Sequence, residues 1–585
     1  MNSSRKRVTS KIAKPSDWSR RRGMVMLGFL SMAMALLVRT AHLQFFERDY
    51  YISQGKARQL RAVLIPANRG DLLDRSGDPL AISTPIPSLS GVPDKLAEDP
   101  EGLRKVALVL QIDPDKLQRR VDSAVLAGRE FIYIKRHVVP ELVDQVLALG
   151  VKHLDVQTEY RRYYPSGSAA AHLVGFTGID DQGREGLEMA YEDYLAGESG
   201  MRRVIRDLHG REITGMDIVK PAIPGRDLRL SIDRQLQYFA NRALEKAVID
   251  SEAASGSVVV MDIQTGEIMA MVNYPTYNPN DVSDRSGGRQ RNRAATDVFE
   301  PGSTMKPFTI AAALDSGKFK SDDIVYTSPG RYTIGKYEIT DDGKDHGWLD
   351  LPGIVTKSSN VGISKIAREL DEEQMWSVFD SFGFGNPPGT EFPGEVAGFF
   401  NHPTVWNYIE QATISYGYGI SVSAVQLVRA YATLANDGVM QPVSYLALDE
   451  APVGTRVIDA SIAKEVQVML ESVVTKGTGK RAQVPGYRVA GKTGTSHRSQ
   501  EGGYAENRYI AVFAGFAPVS DPRLAVVVVV KDPKAGQHYG GVVAAPVFAD
   551  VMSQGLRLGG IEPDAVSDRR AAVTVAKPSK AGDRS

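Results

Sequence analysis

The chain has 585 residues, 42% of them hydrophobic and 24% charged, enough apolar material for buried cores in roughly three or four domains of about 150 residues. It has no cysteine, which excludes disulfides, thiolate metal sites, iron–sulfur clusters and a thiol nucleophile together. Its 70 basic and 70 acidic groups cancel, which argues against a nucleic-acid partner.

The balance hides a local asymmetry. Residues 1–22 carry eight basic groups (Arg5, Lys6, Arg7, Lys11, Lys14, Arg20, Arg21 and Arg22) against Asp17 alone, and the remainder is mildly acidic. Residues 23–38 (GMVMLGFLSMAMALLV) follow without a charge. As a helix they span about 24 Å at ~1.5 Å per residue, somewhat short of a ~30 Å hydrocarbon core. Arg39 can snorkel, and residues 40–46 (TAHLQFF) add interfacial aromatics. A cleaved signal peptide needs small residues after the apolar run, yet the A-x-A, Ala33-Met34-Ala35, lies inside it. A buried core helix would need no basic leader. An uncleaved signal anchor fits both features. The positive-inside rule then places residues 1–22 in the cytoplasm and everything after Phe46 outside.

Residues 66–81 (PANRGDLLDRSGDPLA) are dense in turn formers. Their Arg69-Gly70-Asp71 spells an adhesion tripeptide, a match that three residues often produce by chance. From about 85 to 220, short helical patterns such as 101–110 (EGLRKVALVL) alternate with turns, and residues 161–175 and 183–188 (GREGLE) are rich in glycine. A Pro/Gly linker stands at 221–226 (PAIPGR), and the texture then changes. Residues 233–249 read as a helix. Residues 257–262 (SVVVMD) and 267–272 (EIMAMV) read as a hairpin, and 509–517 and 524–530 (LAVVVVV) as two more strands. Helical patterns lie between, at 304–314, 360–370, 422–435 and 462–474. Strands at both ends imply one domain whose sheet joins distant parts of the chain. The expected division is a leader at 1–22, an anchor at 23–43, a first extracytoplasmic domain at 44–222, a second at 223–560, and a disordered tail at 561–585.

Three short motifs carry chemistry. Ser303-Thr304-Met305-Lys306 is followed by Pro307, which fits only the first turn of a helix. Ser303 is therefore expected at a helix N-terminus, where the dipole favours a developing anion. Residues i and i+3 share a face, so Lys306 Nζ is expected to reach Ser303 Oγ. A lysine of depressed pKa can take the serine proton and make the hydroxyl a nucleophile. Ser358-Ser359-Asn360 precedes a helix; it reads as a proton relay with a carbonyl-holding amide, or as a plain serine N-cap. Lys492-Thr493-Gly494-Thr495 lies on an expected strand, where glycine permits close approach of a ligand and the lysine and hydroxyls suit a carboxylate; a polar edge strand is the plainer alternative. Residues 486–493 (GYRVAGKT) also match a phosphate-binding loop. Such a loop must lead into a helix, and here a Gly-rich polar stretch follows.

S-x-x-K, S-x-N and K-T-G in this order form the signature of penicillin-binding proteins and serine β-lactamases. The chain resembles the class B penicillin-binding proteins, and among them the division-specific type. The likeness runs from the anchor to about residue 555. It includes the 69–81 stretch, RRYYPSGSAAAHLVGF from Arg161, GREGLE, EPGSTMKP around Ser303 and YGYGISVSAVQLVRAYATLAN from Tyr416. It implies an α+β architecture: a transmembrane helix, an elongated pedestal, and a transpeptidase domain with a five-stranded antiparallel sheet flanked by helices.

The resemblance also implies roles. Ser303 would attack the penultimate D-Ala carbonyl of a peptidoglycan stem peptide ending in D-Ala-D-Ala, and Lys306 would accept its proton. Backbone N–H groups of Ser303 and Thr495 would form the oxyanion hole. Ser358, near Lys492, would relay a proton to the departing D-Ala; Asn360 would hold the substrate amide, and Thr493 and Thr495, across Gly494, its carboxylate. An amine from a second stem peptide would then form the cross-link, and β-lactams would stay on Ser303. No metal or organic cofactor is implied. Partners would be the bacterial inner membrane, a SEDS-type glycosyltransferase and other division proteins, since no acidic glycosyltransferase motif is found. The alternatives are an elongation-specific class B enzyme, a β-lactamase or β-lactam sensor, and a catalytically silent division scaffold.

Overall fold

The computed structural model describes residues 16–51, 60–206, 212–285, 287–500 and 503–565. The expectations for most of the basic leader (1–15) and of the tail (566–585) lie outside the described residues.

Helix α1 (Ser16–Phe45) is 30 residues long, about 45 Å at ~1.5 Å per residue. It starts before the apolar run, because Arg20 to Arg22 are good helix formers and extend it. None of its apolar window packs against the rest of the protein, and among the described residues it alone is long and apolar enough to cross a membrane. Its hydroxyls bond its own backbone, Ser31 Oγ to Leu27 O and Thr40 Oγ1 to Leu36 O, as a lipid environment demands.

The next part is built on β2 (Leu72–Leu73), β3 (Pro79–Gly91), β4 (Ile132–Lys135) and β5 (Leu154–Tyr163). Strand β3 pairs antiparallel with β5 from Ile82↔Tyr163 to Gly91↔Leu154. Three helices pack on it: α2 (Pro100–Val109), α3 (Pro114–Leu126) and α4 (Pro140–Ala148). Each starts with proline, the residue whose missing N–H is harmless there. Asp99 and Asp113 cap the first two. Leu89, Leu103, Val106, Leu117, Val121, Ile134 and Val146 form their common core. A separate three-stranded sheet joins β1 (Leu60–Ile65), β6 (Gly200–Arg206) and β7 (Glu212–Lys220).

Arg69 is 1% exposed, which rules out the adhesion reading of its tripeptide. Its Nε donates to Glu188 Oε2 at 2.7 Å, and Arg162 Nε donates to Glu188 Oε1 at 2.7 Å. One buried carboxylate thus joins three segments that the sequence shows as separate Gly-rich stretches. The chain then runs past the expected boundary at 222. Gly225 N donates to Asn68 O, and β8 (Leu228–Arg229) pairs parallel with β2.

The last part holds a five-stranded antiparallel sheet. Its strands are β9 (Ser255–Asp262), β10 (Ile268–Tyr274), β11 (Ala490–Gln500), β12 (Gly503–Ala517) and β13 (Leu524–Lys531). Their order across the sheet is β10-β9-β13-β12-β11. Alternation decides the faces. Val258, Val260, Val526 and Val528 pack with α5 (Arg234–Asp250) and α11 (Gly540–Leu558). Val259, Met261, Val527 and Val529 join the core of α6 (Lys306–Asp315), α9 (Ala424–Ala435) and α10 (Ala460–Thr475). Both faces are covered, so β9 and β13 read as continuous apolar runs. Beyond α11 the chain stays attached: Asp564 accepts from Arg488 N and Ser520 Oγ, and Tyr487 OH donates to Ile561 O. Residues 561–565 are therefore part of the fold rather than of a loose tail.

Candidate active site

Ser303 lies on a single 3-10 turn (Gly302–Met305) that leads into α6. The sequence places the α-helix start at Ser303; it falls at Lys306 instead. Gly302 adopts φ 56° and Thr304 folds back on Pro301 O through both its N–H and its hydroxyl, which tightens the turn. Gly417 backs this turn so closely that a Cβ there would stand 2.2 Å from Gly302 O. Tyr431 OH donates to Thr304 O at 2.9 Å. The serine is half-buried and lines a cleft of about 750 Å³.

Lys306 is fully buried. Its Nζ does not bond Ser303 Oγ as expected from the i, i+3 spacing. It donates to Ser358 O (2.5 Å), Ser358 Oγ (3.2 Å) and Asn360 Oδ1 (2.8 Å). A buried ammonium has three protons to satisfy, and the 358–360 loop supplies all three acceptors. Burial lowers the Lys306 pKa to about 7, against the opposing pull of Asp341 and Asp342. Lys492 is equally buried. Its Nζ donates to Ser358 Oγ at 2.9 Å and Thr493 O at 3.1 Å. Burial first, and then the charge of Lys306, hold its pKa well below the usual lysine value. Two lysines far apart in sequence therefore converge on one hydroxyl.

The two serines of the second motif divide the roles that the sequence left open. Ser359 is the N-cap of α8 (Asn360–Glu369): its Oγ accepts from Gly362 N and donates to Asp341 Oδ2. Ser358 ends α7 (Leu351–Lys357) in the left-handed region, at φ 61°, a conformation that costs a non-glycine residue about 1–3 kcal/mol. This twist turns its hydroxyl toward the lysines while Ser359 caps. Asp341 is a site residue that sequence reasoning missed. It is 6% exposed, and its Oδ1 accepts from Asn360 N (2.6 Å) and Val361 N (3.0 Å). It stands in a turn-rich run, TDDGKDHG, with no periodicity to mark it.

Strand β11 carries the third motif at the edge of the sheet. It is a polar edge strand, and Thr493 and Thr495 on it line the cleft. Gly494 is demanded by the protein itself, since a Cβ there would meet Pro301 O at 2.7 Å. Thr493 Oγ1 shares a 2.7 Å hydrogen bond with Thr478 Oγ1, and Thr495 Oγ1 accepts from Gly540 N, leaving its own proton for a ligand. Thr478, like Asp341, was not singled out from the sequence. Of the expected site residues, Ser303, Ser358, Asn360, Thr493 and Thr495 line the cleft, with Tyr416 and Tyr418 beside them. Lys306 and Lys492 lie buried behind Ser358. The phosphate-loop match ends inside β11 with no helix after it, so that resemblance is accidental.

Residues 256–553 match the family model of the penicillin-binding protein transpeptidase domain, and residues 64–230 that of the penicillin-binding protein dimerisation domain. The chain is 40% identical over 559 residues to a probable peptidoglycan D,D-transpeptidase, PenA, of Neisseria meningitidis, covering 94% of this chain and 95% of that one. It is 40% identical over 551 residues to the peptidoglycan D,D-transpeptidase FtsI of Escherichia coli, covering 93% and 92%. Among solved structures, penicillin-binding protein 3 of Mycobacterium tuberculosis complexed with aztreonam is 26% identical with a TM-score of 0.67, over 86% of this chain and 98% of that one.

Proposed function

From the premise that the chain belongs to the class B penicillin-binding proteins of the FtsI type, we propose that it cross-links peptidoglycan stem peptides at the division septum through an acyl-enzyme on Ser303. The observation that carries this reading is the meeting of three motifs on one hydroxyl: Lys306 and Lys492 both donate to Ser358 Oγ, at a cleft lined by Ser303.

With a pKa of about 7, Lys306 is half deprotonated near neutral pH and suits a general base. It takes the Ser303 proton as Oγ attacks the penultimate D-Ala carbonyl. The N–H groups of Ser303 and Thr495 stabilise the oxyanion. Ser358, backed by Lys492, passes a proton to the leaving D-Ala. Asn360 holds the donor amide, and Thr493 and Thr495 its terminal carboxylate. A second peptide's amine then bonds the acyl carbon and releases Ser303. A β-lactam opens on the same serine and leaves no diffusible product, so it blocks the cleft.

The single N-terminal apolar helix fits a single-pass membrane anchor. The basic leader supports a cytoplasmic N-terminus with both folded domains in the periplasm. We assign the pedestal to the residues between anchor and about 222–230, and the transpeptidase domain to those that follow, through about 565. Glycan polymerisation falls to a partner, a SEDS-type membrane glycosyltransferase. Mass spectrometry after benzylpenicillin tests the chemistry: a stable adduct on Ser303, absent in Ser303→Ala, is expected, and no adduct sinks the enzyme reading. A fluorescent fusion tests the place: a septal band is expected, and dispersed wall signal points to elongation.

A further inference from the structure

The cleft wall carries charges that the reaction above does not use. Lys344, Lys357, Lys480 and Arg481 all line the cleft and are exposed. Among the described residues, none of the four side chains makes a hydrogen bond or ion pair. The acids of the same cleft are Asp341 and Asp342, and Asp341 is occupied by the 359–361 backbone and hydroxyl. Lys357, in the last turn of α7, also complements that helix dipole; no such account covers the other three.

Their placement is specific. Thr478 bonds the Thr493 hydroxyl, and Lys480 and Arg481 follow it on a 3-10 turn whose Ala482 is fully buried. Gly477 presses on the backbone before Lys357, where a Cβ would stand 2.5 Å from Thr356 O. Lys357 in turn directly precedes Ser358. Lys357, Lys480 and Arg481 thus form one wall, continuous with Thr493 and Ser358. These two residues are the ones assigned to the carboxylate and the proton of the leaving D-Ala.

We propose that this cationic wall is the acceptor subsite, which takes the carboxylates of a second, anionic peptide once the leaving group has gone. The proposal rests on the transpeptidase reading. The donor's terminal carboxylate has Thr493 and Thr495, and its upstream amide has Asn360, so the wall is left without a task in holding the donor. The neutral amine of the acceptor bonds the acyl carbon, the ester bond to Ser303 Oγ breaks, and the amine proton returns to that oxygen through the Ser358 relay. Cations set beside this path favour an acceptor bearing carboxylates over water and over neutral amines.

The test uses the full chain in detergent with a benzoyl-D-alanyl thioester as donor. D-Glutamate and D-glutamine serve as acceptors, which share the carboxylate that Thr493 and Thr495 would take and differ in the side-chain carboxylate, and the ratio of aminolysis to hydrolysis is read by chromatography. In the double variant Lys480→Gln with Arg481→Gln, and in Lys357→Gln, the ratio for D-glutamate is expected to fall about threefold to fivefold while that for D-glutamine holds, as for loss of a screened charge pair. Added salt should act in the same direction on D-glutamate alone, and Lys480→Arg should retain the ratio. Equal falls for both acceptors, or none, overturn the subsite while Ser303 acylation still stands. A chain that forms no adduct on Ser303 overturns both readings.

Discussion

Replacing Asp341 by asparagine isolates a charge from a cap. Asparagine keeps an oxygen to accept from Asn360 N and Val361 N, so the 358–360 loop stays in place, while the negative charge beside Lys306 disappears. That charge raises the Lys306 pKa against the larger effect of burial, and the balance stands at about 7. The carboxylate is reached from Lys306 Nζ through Asn360. At this range, with an effective dielectric near 20, a unit charge is worth on the order of 2 kcal/mol. The open cleft screens part of this, leaving roughly 1 pK unit. As the proposed general base Lys306 would act in its neutral form, so acylation is expected to climb with pH through its pKa to a plateau. The variant's rising limb should therefore move about one unit toward acid. At pH 6 its neutral lysine fraction should be about five times that of the parent, offset in part by the weaker base. Stopped-flow acylation by a chromogenic cephalosporin, from pH 5 to 9, measures the limb. A midpoint that stays in place or moves toward alkali would falsify the tuning of Lys306 by Asp341.

Other outcomes follow from the same geometry. Between the Lys306 folded pKa of about 7 and its ordinary 10.5, the unfolded chain holds a proton that the folded chain lacks, so stability rises with pH across this window by roughly 1.4 kcal/mol per unit. Lys306→Met should lose that share of the slope in urea unfolding at pH 7.5 and 9.5; an unchanged slope refutes the assignment. Glu188→Ala leaves the buried Arg69 and Arg162 without their shared carboxylate, a loss of about 3–5 kcal/mol. Calorimetry should show a lowered transition for the pedestal, and an unmoved one contradicts the buried pairing. Gly417→Ala drives a methyl into Gly302 O at a φ of 86°, so acylation of Ser303 should slow at least about tenfold through the displaced turn; parent-like acylation shows that the turn tolerates the shift.

The strands and helices of the last domain were legible because short continuous apolar runs and a 3.6-residue period are both clear there, as in residues 257–262 and 422–435. The three motifs were legible because their spacing is specific. What the sequence could not show is how they meet. The i, i+3 rule brings Lys306 near Ser303, but a buried ammonium follows its acceptors, and those come from a loop some fifty residues on. Serine capping and serine chemistry looked like rivals for one motif, whereas Ser359 makes the cap and the adjacent Ser358 meets the two lysines. Asp341 and Thr478 were missed because a carboxylate in a turn and a lone threonine carry no periodic signal. The linker at 221–226 has the composition of a loose tether, yet backbone hydrogen bonds from Ile223, Gly225 and Arg226 to Glu198, Asn68 and Tyr194 hold it against the pedestal.

The strand order of the large sheet sets a timetable. Ser255 of β9 pairs with Lys531 of β13, so the sheet's inner strand waits for a partner roughly 270 residues downstream, on the order of 15–50 s of synthesis at about 5–20 residues per second. During that interval SVVVMD has β10 on one side and no partner on the other, an apolar edge open to pairing with other chains. Helix α1, which fits a single-pass membrane anchor, is made long before this sheet can close. The chain therefore carries an unfinished sheet through most of its synthesis, and its safe maturation depends on keeping β9 from other chains until β13 emerges.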